Sequence, residues 1–195
     1  MNVPNKLTVS RFALTFLFLT VIFSQPPFHQ TIALALFGVA GLTDYFDGKI
    51  ARRDHLITNF GILMDPLADK ILVCSTFIAF VGRGWMPAWM AVVVVARELA
   101  ITGLRLLAAS KSLVLAAEGF GKHKTISQIV AILLVLIFHG FGEWGPVGQT
   151  IFGFPAGRPW IEWVTNVALQ IAVLLTFTSG AIYLWRNRRL YLADV

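Results

Sequence analysis

Long apolar runs, broken by short polar or Gly/Pro-containing stretches, set the rhythm of this 195-residue chain. A helix needs about 20 largely apolar residues to cross a bilayer. The first run occupies Arg11–Ser24 and stops at the Gln25-Pro26-Pro27 break. Further runs occupy Thr31–Arg53, Phe60–Val81, Pro87–Ala109, Thr125–Gly140 and Trp160–Trp185. The fifth is short of apolar length, so its helix is expected to extend back through the GKHKT stretch at Gly121–Thr125. Ahead of them all, Met1–Ser10 reads as a short amphipathic segment at the membrane interface. The pattern predicts an all-α polytopic membrane protein with six transmembrane helices, formed as one domain over residues 1–195. No repeat or low-complexity region interrupts it.

Composition sharpens that reading. The chain is 57% hydrophobic and 13% charged, with a mean hydropathy of +0.74. Those values exclude an ordinary soluble domain. Cys74 is the sole cysteine and sits in the run ILVCSTFIAF, so neither a disulfide nor a thiolate metal site can be built within the chain. The amino terminus, MNVPNKLTVSR, is polar and lacks a small-x-small cleavage site before the Pro26-Pro27 turn, unlike a signal peptide.

The cations are distributed unevenly. The connections after the first, third and fifth spans hold only Arg83 and Arg158; the other Lys and Arg residues cluster at the termini and around the remaining connections. The positive-inside rule therefore puts both termini in the cytoplasm. The net charge of +6 is explained by the membrane, and no nucleic-acid partner is called for. Trp85, Trp89, Trp144, Trp160 and Trp163 fit an aromatic belt on the opposite side.

Against this background the aspartates stand out. Asp44-x-x-Asp47-Gly48-x-x-Ala51-Arg52 is followed, eight residues later, by Gly61-x-x-x-Asp65-x-x-x-Asp69. Residues three or four apart share a helix face, so the carboxylates project in two pairs from successive helices. An aspartate at the centre of a membrane helix costs about 2.5–3.5 kcal/mol. Four uncompensated ones would cost roughly 10 kcal/mol, comparable to the ~5–15 kcal/mol net stability of a whole domain. Lys49, Arg52, Arg53 and Lys70 could each pair with one carboxylate, but converging acceptor-only side chains suit hard divalent cations better. Two such ions carry the four charges needed. Gly48, Ala51 and Gly61 would let a ligand or a neighbouring helix approach the backbone. Asp54 reads as a solvated loop residue.

This spacing resembles the signature of the CDP-alcohol phosphatidyltransferase family at every defined position. PNKLTVSR at Pro4–Arg11, FGILMDPLADK at Phe60–Lys70, RELAITGLR at Arg97–Arg105 and GKHKTISQ at Gly121–Gln128 look most like its bacterial phosphatidylglycerophosphate synthase branch. The resemblance implies transfer of a phosphatidyl group from CDP-diacylglycerol to sn-glycerol 3-phosphate, giving phosphatidylglycerophosphate and CMP at the bacterial inner membrane. It implies Mg²⁺ or Mn²⁺, two ions, held by Asp44, Asp47, Asp65 and Asp69, with Asp69 also acting as general base on the acceptor hydroxyl. Gly48, Ala51, Arg52 and Gly61 would accommodate the nucleotide of the lipid donor. Thr8 and Arg11 would border the site, and the assembly would be a homodimer.

The remaining intramembrane charges suggest an acceptor pocket. Arg97 and Arg105 lie just over two turns apart on similar faces, and Lys122 and Lys124 open the fifth span. Together they would hold a phosphate, Arg by bidentate contact and Lys as a point charge. The simpler alternative for Arg97 is an ion pair with Glu98. His55 and His123 read as incidental interfacial residues, and His29 and His139 fall on the outer side. Competing functions are a sister transferase using inositol phosphate or serine, and a divalent-cation transporter. Serine would leave the cationic pocket without purpose. The inverted repeats and broken helices typical of transporters are not evident in the sequence.

Overall fold

The computed structural model describes residues 3–53, 59–111, 113, 120–153 and 159–192, and their side chains except at positions 3, 4, 44–53, 59, 62, 63 and 120–122. The helices are α1 (Val3–Ser24), α2 (His29–Arg53), α3 (Asn59–Gly82), α4 (Ala88–Ser110) and α5 (Phe120–Gly140). A 3-10 turn (Phe141–Trp144) and α6 (Gly145–Phe152) lead to α7 (Trp160–Arg186) and a short α8 (Arg188–Leu192). No strand occurs among the described residues, in keeping with the all-α expectation.

Asn5–Ser24, His123–Phe152 and Trp160–Arg186 are long and apolar enough to cross a membrane. Helices α2, α3 and α4 have comparable lengths of 25, 24 and 23 residues, but carry the motif charges. The apolar part of α2 is His29–Thr43.

Two elements differ from the sequence expectation. Helix α1 runs unbroken through the stretch expected to form a separate interfacial segment. Pro4 falls in its first turn, where a missing N–H costs nothing. Ser10 Oγ donates to the Leu7 carbonyl (2.7 Å), so it does not cap a new helix start. Beyond Gly140, the stretch FGEWGPVGQTIF folds into the 3-10 turn and α6. Gly145 joins them at φ 61°, a left-handed conformation that a residue without Cβ adopts freely, and Pro146 fits the first turn of α6.

Buried residues separate by chemistry along the bundle. Reading α1 from its start, buried Thr8, Arg11 and Thr15 give way to Phe18 and Ile22. In α5, Lys124 and Gln128 give way to Ile132 and Leu136. Helices α4 and α7 show the reverse order: Met90 and Val94 precede Glu98, and Leu169 and Val173 precede Thr176 and Ser179. Opposite orders in alternate helices are what an up-and-down arrangement requires. One end of the bundle therefore holds the larger apolar core, to which Phe37, Phe77 and Phe80 also belong, and the other holds most of the buried polar groups beside a smaller apolar cluster of Ile101, Leu104 and Tyr183.

The exterior is apolar as well. Phe16, Val92, Leu99, Leu106, Leu174 and Phe177 are each at least 60% exposed. Water would disfavour such a surface, whereas lipid tails solvate it.

At the apolar end, Glu143 caps α2 from a distant part of the chain. Its carboxylate accepts from the backbone N–H groups of Gln30 (3.1 Å) and Thr31 (2.9 Å) and from Thr31 Oγ1 (2.6 Å). Trp144 Nε1 donates to the same hydroxyl (2.9 Å). Nearby, Trp85 stacks on His139 at 4.1 Å, and the Arg83 guanidinium carbon lies 5.4 Å from the Trp85 ring centre.

Candidate active site

The two aspartate pairs occupy the last turns of α2 and the first turns of α3, consecutive helices joined through residues 54–58. The side chains of Asp44, Asp47, Gly48, Ala51, Arg52 and Lys122 lie outside the described set, as do Asp54 and His55 entirely. Asp65 and Asp69 are half-buried, one helical turn apart on α3, with Gly61 and Ala68 buried beside them. Pro66 lies between them inside the helix and removes one i→i−4 hydrogen bond there.

Helix α1 packs against α3 so that Thr8 Oγ1 donates to Asp65 Oδ1 at 2.5 Å. Thr8 is fully buried, and so is Arg11 on the next turn. Both residues expected at the border of the site are thus interior, and Thr8 touches a motif carboxylate directly. Lys70 Nζ meets Thr102 Oγ1, tying α3 to α4.

Among the described residues, no three or more His, Cys, Asp or Glu side chains gather into a metal-sized cluster. Two of the four motif side chains are absent from that set. The side chains that are described fit a hard divalent cation in kind: Asp65 and Asp69 offer carboxylate oxygens in a mostly apolar helix, and a hydroxyl already bonds Asp65.

The proposed acceptor cations fall into two groups. Lys124 Nζ contacts Glu98 Oε1, and Arg97 Nη1 donates to that same oxygen at 3.2 Å. Glu98 and Lys124 are both deeply buried, at 6% and 5% exposure, so neither charge relies on water. Arg105 lies toward α7, its guanidinium carbon 5.8 Å from the Tyr183 ring centre and its Nε 3.5 Å from the phenol oxygen. Arg97 faces α7 too, because a Cβ built on Gly180 would lie 2.7 Å from Arg97 Cγ. The predicted common face of Arg97 and Arg105 is therefore seen, and it is the face packed on α7.

Glu98 was legible as a partner of its neighbour Arg97, but its pairing with Lys124, 26 residues away, was not. The available signal was a carboxylate in an apolar run, which demands a counter-cation from some other helix. Gln128 Nε2 donates to Thr176 Oγ1 (2.9 Å), so polar contacts link α1 to α3, α3 to α4, α4 to α5, and α5 to α7. A cavity of about 350 Å³ opens between α4 and α7, with Arg97 among apolar walls of Val92, Ile101 and Phe177. Among the described residues, Asp65 and Asp69 are not part of its lining.

Residues 1–181 match the family model described as CDP-alcohol phosphatidyltransferase. The chain is 37% identical to the CDP-diacylglycerol–glycerol-3-phosphate 3-phosphatidyltransferase of Bacillus subtilis (strain 168), with 95% of each chain covered. It is 30% identical to the protein of the same name from Rickettsia bellii (strain RML369-C), covering 93% of each. It is 34% identical to a probable phosphatidylglycerophosphate synthase of Mycobacterium tuberculosis (strain ATCC 25618 / H37Rv), covering 96% of this chain and 82% of that one. The chain belongs to the CDP-alcohol phosphatidyltransferase family.

Proposed function

We propose that this protein transfers the phosphatidyl group of CDP-diacylglycerol to sn-glycerol 3-phosphate, forming phosphatidylglycerophosphate and releasing CMP. The observation that carries this reading is end-to-end similarity, 37% over 95% of both chains, to a protein named for that reaction. Buried Lys124 and half-buried Arg97 support it, because together they bring two positive charges to the single carboxylate of Glu98, an excess that suits an acceptor bearing a phosphate.

In this reading Asp44, Asp47, Asp65 and Asp69 hold two divalent cations, Mg²⁺ or Mn²⁺. Bound there, the ions neutralise the donor's pyrophosphate and polarise the phosphorus under attack. Gly48, Ala51 and Gly61 leave room for the cytidine, and Arg52 contacts the donor phosphates. Arg97 and Lys124, with Arg105 and Lys122, hold the acceptor phosphate and aim its glycerol hydroxyl. Asp69 takes the hydroxyl proton as the new oxygen–phosphorus bond forms and the bond to CMP breaks. Glu98 balances part of the cationic charge while the acceptor is absent.

The molecule spans the bacterial inner membrane with six helices, α1 to α5 and α7. Both termini and the aspartates face the cytoplasm, where nucleotide and glycerol 3-phosphate are found, and the chain assembles as a homodimer.

The test is an acceptor panel with radiolabelled CDP-diacylglycerol and the purified protein. Label should pass to glycerol 3-phosphate only in the presence of Mg²⁺ or Mn²⁺. Preference for inositol phosphate or serine would move the assignment to a sister activity. Metal flux into proteoliposomes without CMP release would replace the transferase with a transporter.

A further inference from the structure

We propose that Thr8 is a positioning residue that fixes the orientation of the Asp65 carboxylate toward a divalent cation. The inference rests on the reading of Asp65 as a metal ligand given above. The geometry that carries it is a single side-chain contact between two helices. Thr8 Oγ1 donates to Asp65 Oδ1 at 2.5 Å across 57 residues of sequence.

Three features make this contact suited to holding a ligand in place. Thr8 has no exposed surface, so its hydroxyl cannot exchange the carboxylate for bulk water. Threonine is β-branched, and its χ1 is restricted in a helix, so the donor is held at a defined position. An aspartate also has about four lone-pair sites on two oxygens, and one bond from Thr8 leaves acceptor capacity for a cation. Pro66 directly follows Asp65 and weakens the local helical ladder, so a tie from outside α3 has more to hold.

The contact also explains why α1 stays helical through the polar sequence PNKLTVSR. That stretch packs on α3 through its buried face. The first helix of the chain thereby takes part in the site without contributing a ligand. Hydrogen-bond partners of metal ligands typically govern affinity by about 10- to 100-fold.

The experiment is a Mn²⁺ titration of the full-length protein in nanodiscs, with free Mn²⁺ read by electron paramagnetic resonance. Thr8→Val keeps the shape and deletes the donor; Thr8→Ser keeps the donor; Asp65→Asn is the reference for losing the ligand. Thr8→Val is expected to weaken Mn²⁺ binding roughly 10- to 100-fold, and Thr8→Ser to stay near wild type. Thr8→Ala, which also lacks the hydroxyl, should match Thr8→Val and stands in for it if the valine variant does not fold. Wild-type affinity in a folded variant without the hydroxyl, alongside a large loss in Asp65→Asn, overturns the role of Thr8 alone. An equal loss in Thr8→Ser also overturns it, since the donor is still present. Wild-type affinity in Asp65→Asn overturns the metal-site reading itself.

Discussion

Lys124 illustrates how a partner changes what a substitution means. Its ammonium shares Glu98 Oε1 with Arg97, deep in the bundle. Lys124→Met would remove a proposed phosphate ligand and also leave the buried Glu98 carboxylate with the weaker 3.2 Å contact from Arg97, which is destabilising. Pairing it with Glu98→Gln separates the two effects. The double variant should recover much of the thermal stability lost by Lys124→Met, yet keep a raised KM for glycerol 3-phosphate. Charged hydrogen bonds contribute about 1.5–3 kcal/mol each, so that KM should rise roughly ten- to hundred-fold while the donor KM changes little. Steady-state kinetics with each substrate varied in turn checks this. A KM for glycerol 3-phosphate that stays at the wild-type value would take Lys124 out of the acceptor pocket. The same residues show what the sequence could and could not tell. Asp44, Asp47, Asp65 and Asp69 were legible because their spacing is local to two helices. The contacts Lys124–Glu98, Thr8–Asp65 and Lys70–Thr102 were not, because each joins residues on different helices and nothing in local periodicity selects one partner over another.

At the level of the helices, most boundaries followed from the apolar runs. The segment after Gly140 did not, since Phe141–Phe152 is too short and glycine-rich for its periodicity to indicate a helix. Its contribution is Glu143, which satisfies two N–H groups at the start of α2 that the helix itself leaves open. A carboxylate there also complements the helix dipole. Glu143→Ala should therefore lower stability by about 1–2 kcal/mol, and Glu143→Gln should lose less because an amide oxygen can still accept. Thermal unfolding in detergent measures it. The effect on KM for either substrate should be small, because the cap is at the end of the bundle away from the aspartates.

For the whole molecule, the central expectation is orientation. Cysteines placed at the Pro26-Pro27 turn, beside Arg83 and beside Gly148 should react with an impermeant reagent outside the cell, once Cys74 has been replaced. Cysteines beside Asp54 and Lys111 should react only after permeabilisation. The reverse pattern would separate the aspartates from cytoplasmic nucleotide and remove the basis of the substrate assignment. The charge asymmetry that predicts this orientation agrees with the arrangement of buried groups. Thr8, Glu98, Lys124 and Ser179 lie toward the end where the positive-inside rule places the cytoplasm.

That division of the interior has a mechanical consequence. The apolar half is joined by aromatic and aliphatic packing, from Phe18 and Phe77 to Leu136, which resists small displacements because close-packed side chains have nowhere to go. The other half combines directional ties such as Thr8–Asp65 and Gln128–Thr176 with a smaller apolar cluster of Ile101, Leu104 and Tyr183. Gly180 lets α7 rest directly on the stem of Arg97, so a shift of α7 pushes on that side chain without an intervening layer. The two ends are therefore held by different kinds of contact, close packing at one and mainly individual polar bonds at the other. A substitution at the polar end should thus be felt mainly by the two helices its bond joins, whereas one in the aromatic core should be felt by every helix packed around it.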